Sequence, residues 1–246
     1  MASKNEYREA LKGTGPIPPA QGIYNESSTQ KAVLGTRLEF NDGRVFRYAK
    51  NGATALVAGK LVKVGAIAHV TNVAVATAAT TVINPHLVTV GTTSACTSAE
   101  EGYLQVNDAA GEGRQYKIRL TAASIATATE TDVTMYDPIN YDLTTSSEVT
   151  LLYNQYEQCE VATLGTDIIL GVSPIPVTAE YYFWLQTWGI TNVLQGGATT
   201  AGVMVSTETS SGGVSISYGD TTPCLGTQML VGVDGEYKPV WLRITP

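Results

Sequence analysis

His69 and His86 are the only histidines of the chain, and neither has a carboxylate or cysteine cluster at ligand spacing beside it. The sequence therefore predicts no metal site. A Ser-His-Asp or Cys-His nucleophile would need one of these two rings. His86 follows Asn84-Pro85 in a polar turn, a poor platform for a preorganised base, and both histidines read as surface or turn residues. Gly111-Glu112-Gly113 resembles a piece of a glycine loop but lies inside a hairpin turn, where it cannot cradle a nucleotide phosphate. Asp132, Asp137 and Asp142 are loosely spaced among Thr and Pro and read as turn caps rather than as a glycosidase pair. Asn107-Asp108 lacks the alternating oxygen ligands and closing Glu of a calcium loop. Cys96, Cys159 and Cys224 are far apart without CxxC spacing and read as small hydrophobes kept reduced. The expectation is a protein that is not an enzyme and takes no cofactor.

Aromatic residues, not titratable ones, are concentrated. Residues 168–189, IILGVSPIPVTAEYYFWLQTWG, carry Tyr181, Tyr182, Phe183, Trp184 and Trp188. On a strand, Tyr181, Phe183 and Leu185 face one side while Tyr182, Trp184 and Trp188 face the other. A strand with large apolar groups on both faces needs two covers. One is the core; for the other, three occupants compete, namely more core, a stacked sugar ring or a protein interface. Interface is favoured, because Trp and Tyr lead among interface anchors. The interface candidates are Tyr182, Trp184 and Trp188, joined by Tyr7, Leu11, Ile17 and Tyr24 near the N-terminus.

The elements that would hold this strand are β throughout. The chain of 246 residues is long enough for one large β domain or two smaller ones. Only 15% of it is charged, below the usual quarter, and its net charge is −7. A Lys-poor acidic surface argues against nucleic acid as a partner. No apolar run approaches the span of a bilayer. The first residues, MASKNEYREALKG, are charged and show no secretory signal, so synthesis and residence in a cytoplasm are expected.

Ser3 with Glu6 forms a capping box, and Gly13 stands at a C′ stop, predicting one short helix over residues 3–12. Residues 13–30, rich in Gly and Pro, read as an extended arm. Arg37-Leu-Glu-Phe-Asn-Asp-Gly-Arg-Val-Phe-Arg-Tyr48 predicts a hairpin with a three-residue loop, since only that register places Leu38, Phe40, Phe46 and Tyr48 on one face. A second hairpin is predicted over residues 101–120 with its turn at 107–113, and Tyr116, Ile118 and Leu120 on one face. Further short strands are predicted at 60–64, 70–75, 80–83, 87–90, 133–136, 149–153, 201–206, 214–218, 229–233 and 240–244. Short strands at this spacing give an all-β sandwich or barrel of antiparallel strands, with an N-terminal helix and arm over 1–35. The core domain is expected to comprise 36–65 plus 161–246, with an inserted β domain at 66–160.

Three segments together carry a resemblance: LGTRLEFNDGRVFRYAKNGATALVAGKLV (34–62), EGYLQVNDAAGEGRQYKI (101–118), and ILGVSPIPVTAEYYFWLQTWG (169–189) with the glycines that follow. The chain resembles the β-rich head decoration, or cement, proteins of tailed bacteriophages. An AG-x-L strand start and a later GV…T-A-x-x-Y-x-W-x-Q-x-x-G segment recur there. The resemblance implies a virion structural protein assembled in the host cytoplasm. It would bind the outside of an expanded head as a homo-oligomer, dimer or trimer, with the major capsid protein as partner. The same composition would also suit a tail-tube, baseplate or fibre subunit, or a carbohydrate-binding β-sandwich stacking sugars on Tyr182, Trp184 or Trp188.

Overall fold

The computed structural model describes residues 21–91, 96, 99–124, 129–163, 167–208, 212–216 and 223–246. The helix expected at 3–12, the arm up to residue 20, and the candidates Tyr7, Leu11 and Ile17 lie outside the described residues. Those described form sixteen β-strands and no α-helix. The chain divides into two compact units, residues 67–155 and residues 1–66 with 156–246.

The unit of residues 67–155 is one antiparallel sheet. Its strands are β4 (Val70–Ala74), β5 (Leu87–Val90), β6 (Tyr103–Asp108), β7 (Gln115–Ala123), β8 (Thr131–Met135) and β9 (Glu148–Leu152), in the order β4-β9-β6-β7-β8-β5. A bridge between Val75 and Val90 joins the two ends, so the curl closes on itself at one point. Inside lie Val88, Leu104, Ile118, Val133, Met135, Val149 and Leu151, all essentially without solvent contact. A curl of this kind leaves less exposed edge than a flat sheet would present.

The hairpin β6–β7 forms where expected, pairing Tyr103 with Lys117 and Leu104 with Tyr116. Its second strand departs from simple alternation. The register against β8 slips between Ile118 and Leu120, and an extra residue in one strand shifts everything after it by one face. Tyr116 and Ile118 are buried, but Leu120 turns out to solvent and Thr121 takes the inner position. The strand expected at 80–83 is a bend, with Val82 and Ile83 exposed.

The other unit is built on β12 (Tyr182–Leu194), whose thirteen residues make it the longest strand described. Its first half pairs with β2 (Val45–Lys50) and its second with β16 (Tyr237–Arg243). Around it stand β1 (Arg37–Glu39), β3 (Leu61–Lys63), β10 (Glu160–Val161), β11 (Ile169–Val172), β13 (Met204–Thr207), β14 (Val214–Ile216) and β15 (Gly226–Gln228). The main order is β10-β3-β11-β12-β16-β15-β13-β14, with β1 and β2 branching from β12. Gln195, just past β12, forms a parallel bridge to Val214 of β14 and brings that end of the sheet back to its spine. The β1–β2 hairpin has the three-residue loop 41–43: Phe40 donates its N–H to Arg44 O at 2.9 Å, and Gly43 has φ +84°. A side chain there would meet the left-handed penalty that glycine escapes. The strand expected at 229–233 is instead a loop with one bridge, and β15 runs just before it.

Both units share one local device. Thr71-Asn-Val73 in β4 and Thr191-Asn-Val193 in β12 each precede a bridge, two bends and a second bridge. In the first case Ala79 bridges Leu143 on the approach to β9; in the second Thr199 bridges Gly232 on the approach to β16. β4 pairs with β9 as β12 pairs with β16. In each unit the strand that carries this device pairs with the unit's last strand, and one bridge joins the loops beside that pair.

Candidate interaction surface

The first half of β12 has both faces covered. Phe183, Trp184, Leu185, Gln186 and Thr187 are all buried. Their neighbours include Phe46, Tyr48, Val62, Cys159, Leu170 and Val177, and also Ile23 and Leu34 from the segment before β1. Trp184 Nε1 donates to Gln21 O at 2.8 Å, and its ring meets Tyr48 edge-on with centroids 5.0 Å apart. Gln21 in turn donates to Tyr182 O at 2.9 Å and accepts from the Tyr48 hydroxyl at 2.9 Å. Tyr48 O–H also accepts from Lys31 N–H, and burial raises its pKa. The second cover of the aromatic strand is therefore the chain itself, through residues 21–34. Trp184, a sequence candidate for a subunit contact, is enclosed here, because its indole N–H finds a partner inside the unit.

Tyr182 is half-buried and stacks on Tyr48 at 6.0 Å. Lys50 Nζ lies 6.0 Å from the Tyr182 ring centroid and pairs with Glu157 at 2.7 Å and Glu180 at 3.3 Å. Burial works against the Lys50 charge, but the two carboxylates outweigh it and its pKa lies above the ordinary lysine value. Cys159 is wholly buried, which pushes its thiol pKa far up and leaves it unreactive. Trp188 is half-buried, and Tyr24 is 65% exposed.

The second half of β12 turns an apolar face outward. Ile190 pairs with Trp241 on β16, Trp241 with Thr227 on β15, and Thr227 with Met204 on β13. Ile190, Trp241 and Met204 are 46%, 39% and 59% exposed, while their strand neighbours Val193, Val240, Leu242 and Val205 are buried. Three strand spacings of about 4.8 Å each place these groups in one band crossing the sheet. The loop after β15 adds exposed Met229, Leu230 and Val231. Single exposed apolar residues are ordinary, whereas here three stand in one row across the sheet, with half-buried Thr227 between Trp241 and Met204. Trp241 was missed in the sequence, although the alternation Val240-Trp241-Leu242 carries the signal: a tryptophan set between two inward residues must point out.

The residues with acid–base potential are dispersed. His69 Nδ1 accepts from Tyr153 N–H, and His86 Nδ1 faces Met135 O at 3.3 Å. Asp132 accepts from the Thr89 hydroxyl, and Asp142 from Thr81 N–H. Among the described residues no group of three His, Cys, Asp or Glu side chains could hold a metal, and no helix is long and apolar enough to cross a membrane. No known protein family, no curated protein and no solved structure matches the chain.

Proposed function

We propose that this is a virion structural protein, a capsid decoration protein that binds the outer surface of a phage head through its β unit and arm. The observation that carries the reading is the row of exposed apolar groups Ile190, Trp241 and Met204 across β12, β16 and β13. A protein acting by contact needs area rather than a pocket, and a stable interface buries on the order of 1,200 Å² or more. The low charged fraction and the sequence resemblance point the same way. On this reading the exposed band meets the major capsid protein or a second copy, and no catalytic step occurs.

The test is to add purified protein to undecorated, expanded heads and measure the bound amount by sedimentation. Saturation at a fixed number per lattice unit is expected. Trp241→Ala should weaken binding while leaving the circular dichroism spectrum unchanged. Binding that never saturates, or no binding at all, overturns the proposal. Strong Trp241-dependent binding on a glycan array, with no head binding, would favour a carbohydrate-binding module instead.

A further inference from the structure

Beside the apolar band lies a groove of about 620 Å³, within the range of ordinary ligand sites. Tyr24, Arg44, Val57, Asn192 and Tyr237 are among the residues that line it. Both tyrosines are exposed, and neither hydroxyl bonds to another described residue. The Tyr237 ring is held by Gly59. This glycine has φ +73°, and a Cβ built on it would lie 2.6 Å from the ring and 3.3 Å from Asn192 O. Glycine therefore lets the ring lean onto backbone and leaves the Asn192 carbonyl without a side chain over it.

Polar groups with bonds to give stand beside the rings. Asn192 is exposed, and its carboxamide bonds to no other described residue. In an antiparallel strand, alternate residues turn their main-chain groups to the same side. Leu194 N–H donates to Gly59 O at 2.9 Å, and Ile190 O accepts from Gln186 Nε2 at 3.0 Å. Asn192, between them, turns its own N–H and C=O to that side, away from its β16 partner Pro239. Arg44 is preset: its Nε donates to Asp42 Oδ2 at 2.7 Å, and its guanidinium lies over the Phe40 and Phe46 rings. Its two Nη groups stay open. This set selects by exclusion. An anion would meet one cation already offset by Asp42. A lipid chain would strand the free amide and the main-chain groups. A peptide adding itself to the strand edge would find the positions on either side of Asn192 taken. A neutral sugar suits every element. The C–H face of a pyranose ring lies on a tyrosine, and neighbouring hydroxyls, each donor and acceptor, match a carboxamide and a guanidinium fork.

We propose that the groove binds a neutral oligosaccharide, with Tyr24 and Tyr237 as stacking platforms and Asn192 and the Arg44 Nη groups as hydroxyl partners. The site is distinct from Trp184, which is enclosed, and from Trp241, which is not among its walls. It does not depend on the protein being a capsid component.

The test uses the full chain without heads, so its result is independent of capsid binding. Saturation-transfer NMR is recorded with neutral di- and trisaccharides of glucose, galactose, mannose and N-acetylglucosamine at millimolar concentration, and with sialyllactose as the anionic arm. Transfer to at least one neutral sugar is expected, strongest at its ring C–H protons. Tyr237→Ala and, separately, Asn192→Ala should each weaken that binding about fivefold or more, while Trp241→Ala leaves it unchanged. Circular dichroism confirms that each variant is folded, and Asn192→Ala alters only an exposed strand position. Transfer to none of the neutral sugars overturns the proposal. So does binding that survives both substitutions, or binding of sialyllactose alone, which would be selection by charge. Equal loss in Trp241→Ala also overturns it, because the sugar would then lie on the apolar band.

Discussion

Replacing Trp184 with phenylalanine removes one hydrogen-bond donor and part of one ring from a closed site. The donor is Nε1, held 2.8 Å from Gln21 O. Leaving that buried carbonyl short of its partner costs about 1–3 kcal/mol. The lost ring volume leaves a cavity beside Tyr48, worth roughly a further 1–2 kcal/mol when the surroundings relax only in part. The sum is about 2–5 kcal/mol out of a total stability of about 5–15 kcal/mol. With a urea slope of about 3 kcal/mol per M, the midpoint of this unit should fall by about 0.7–1.7 M. Trp241→Phe is the comparison. That residue is 39% exposed, and its change should stay within about 0.5 kcal/mol. Far-ultraviolet circular dichroism in urea is the assay, because tryptophan fluorescence would change with the substitutions themselves. A Trp184→Phe midpoint no lower than that of Trp241→Phe would refute the reasoning that residues 21–34 seal the aromatic strand.

Four other outcomes are expected. Ile118→Ala should cost about 2–5 kcal/mol in urea unfolding, while Leu120→Ala stays within about 1 kcal/mol, because the bulge in β7 turns Leu120 outward; equal costs would place Leu120 inside. Gly59→Ala should destabilise by more than the roughly 1–2 kcal/mol of a left-handed alanine, and Gly59→Ala with Tyr237→Ala should recover the part due to the ring clash. Raised pKa values on Lys50 and Cys159 mean that the folded state holds these protons more tightly than the unfolded chain. Their stabilisation is complete below the unfolded values and is lost as pH rises, so the urea midpoint should fall above about pH 9 and fall less in Lys50→Met. In the native protein a thiol reagent should titrate exposed Cys224 quickly and spare Cys96 and Cys159.

Local chemistry made much of the β architecture legible. Asn41-Asp42-Gly43 and the apolar positions around it sufficed for the β1–β2 register, because turn and pattern are set within a dozen residues. Leu87–Val90 could be read from its apolar, β-branched run. Long-range events were not legible. Nothing in the spacing around Ile118 announces the slip against β8 that reverses Leu120. Residues 229–233 have strand composition, yet β16 takes its partners from β12 and β15, leaving that stretch as a loop. The segment 21–34 shows no periodicity, since it enters the core at separate points, Gln21, Ile23 and Leu34, rather than along a face. For that reason the aromatic strand read as needing an outside partner. Its true cover lay in the least patterned part of the chain, while the outward band was carried by Trp241, a residue without aromatic neighbours in sequence.

The most direct test is a cryo-electron reconstruction of expanded heads saturated with the protein. The account predicts density for the β unit at a fixed lattice position, with the face of Ile190, Trp241 and Met204 buried against capsid protein or a second copy. Heads without such density, or with that face turned to open solvent, would contradict it.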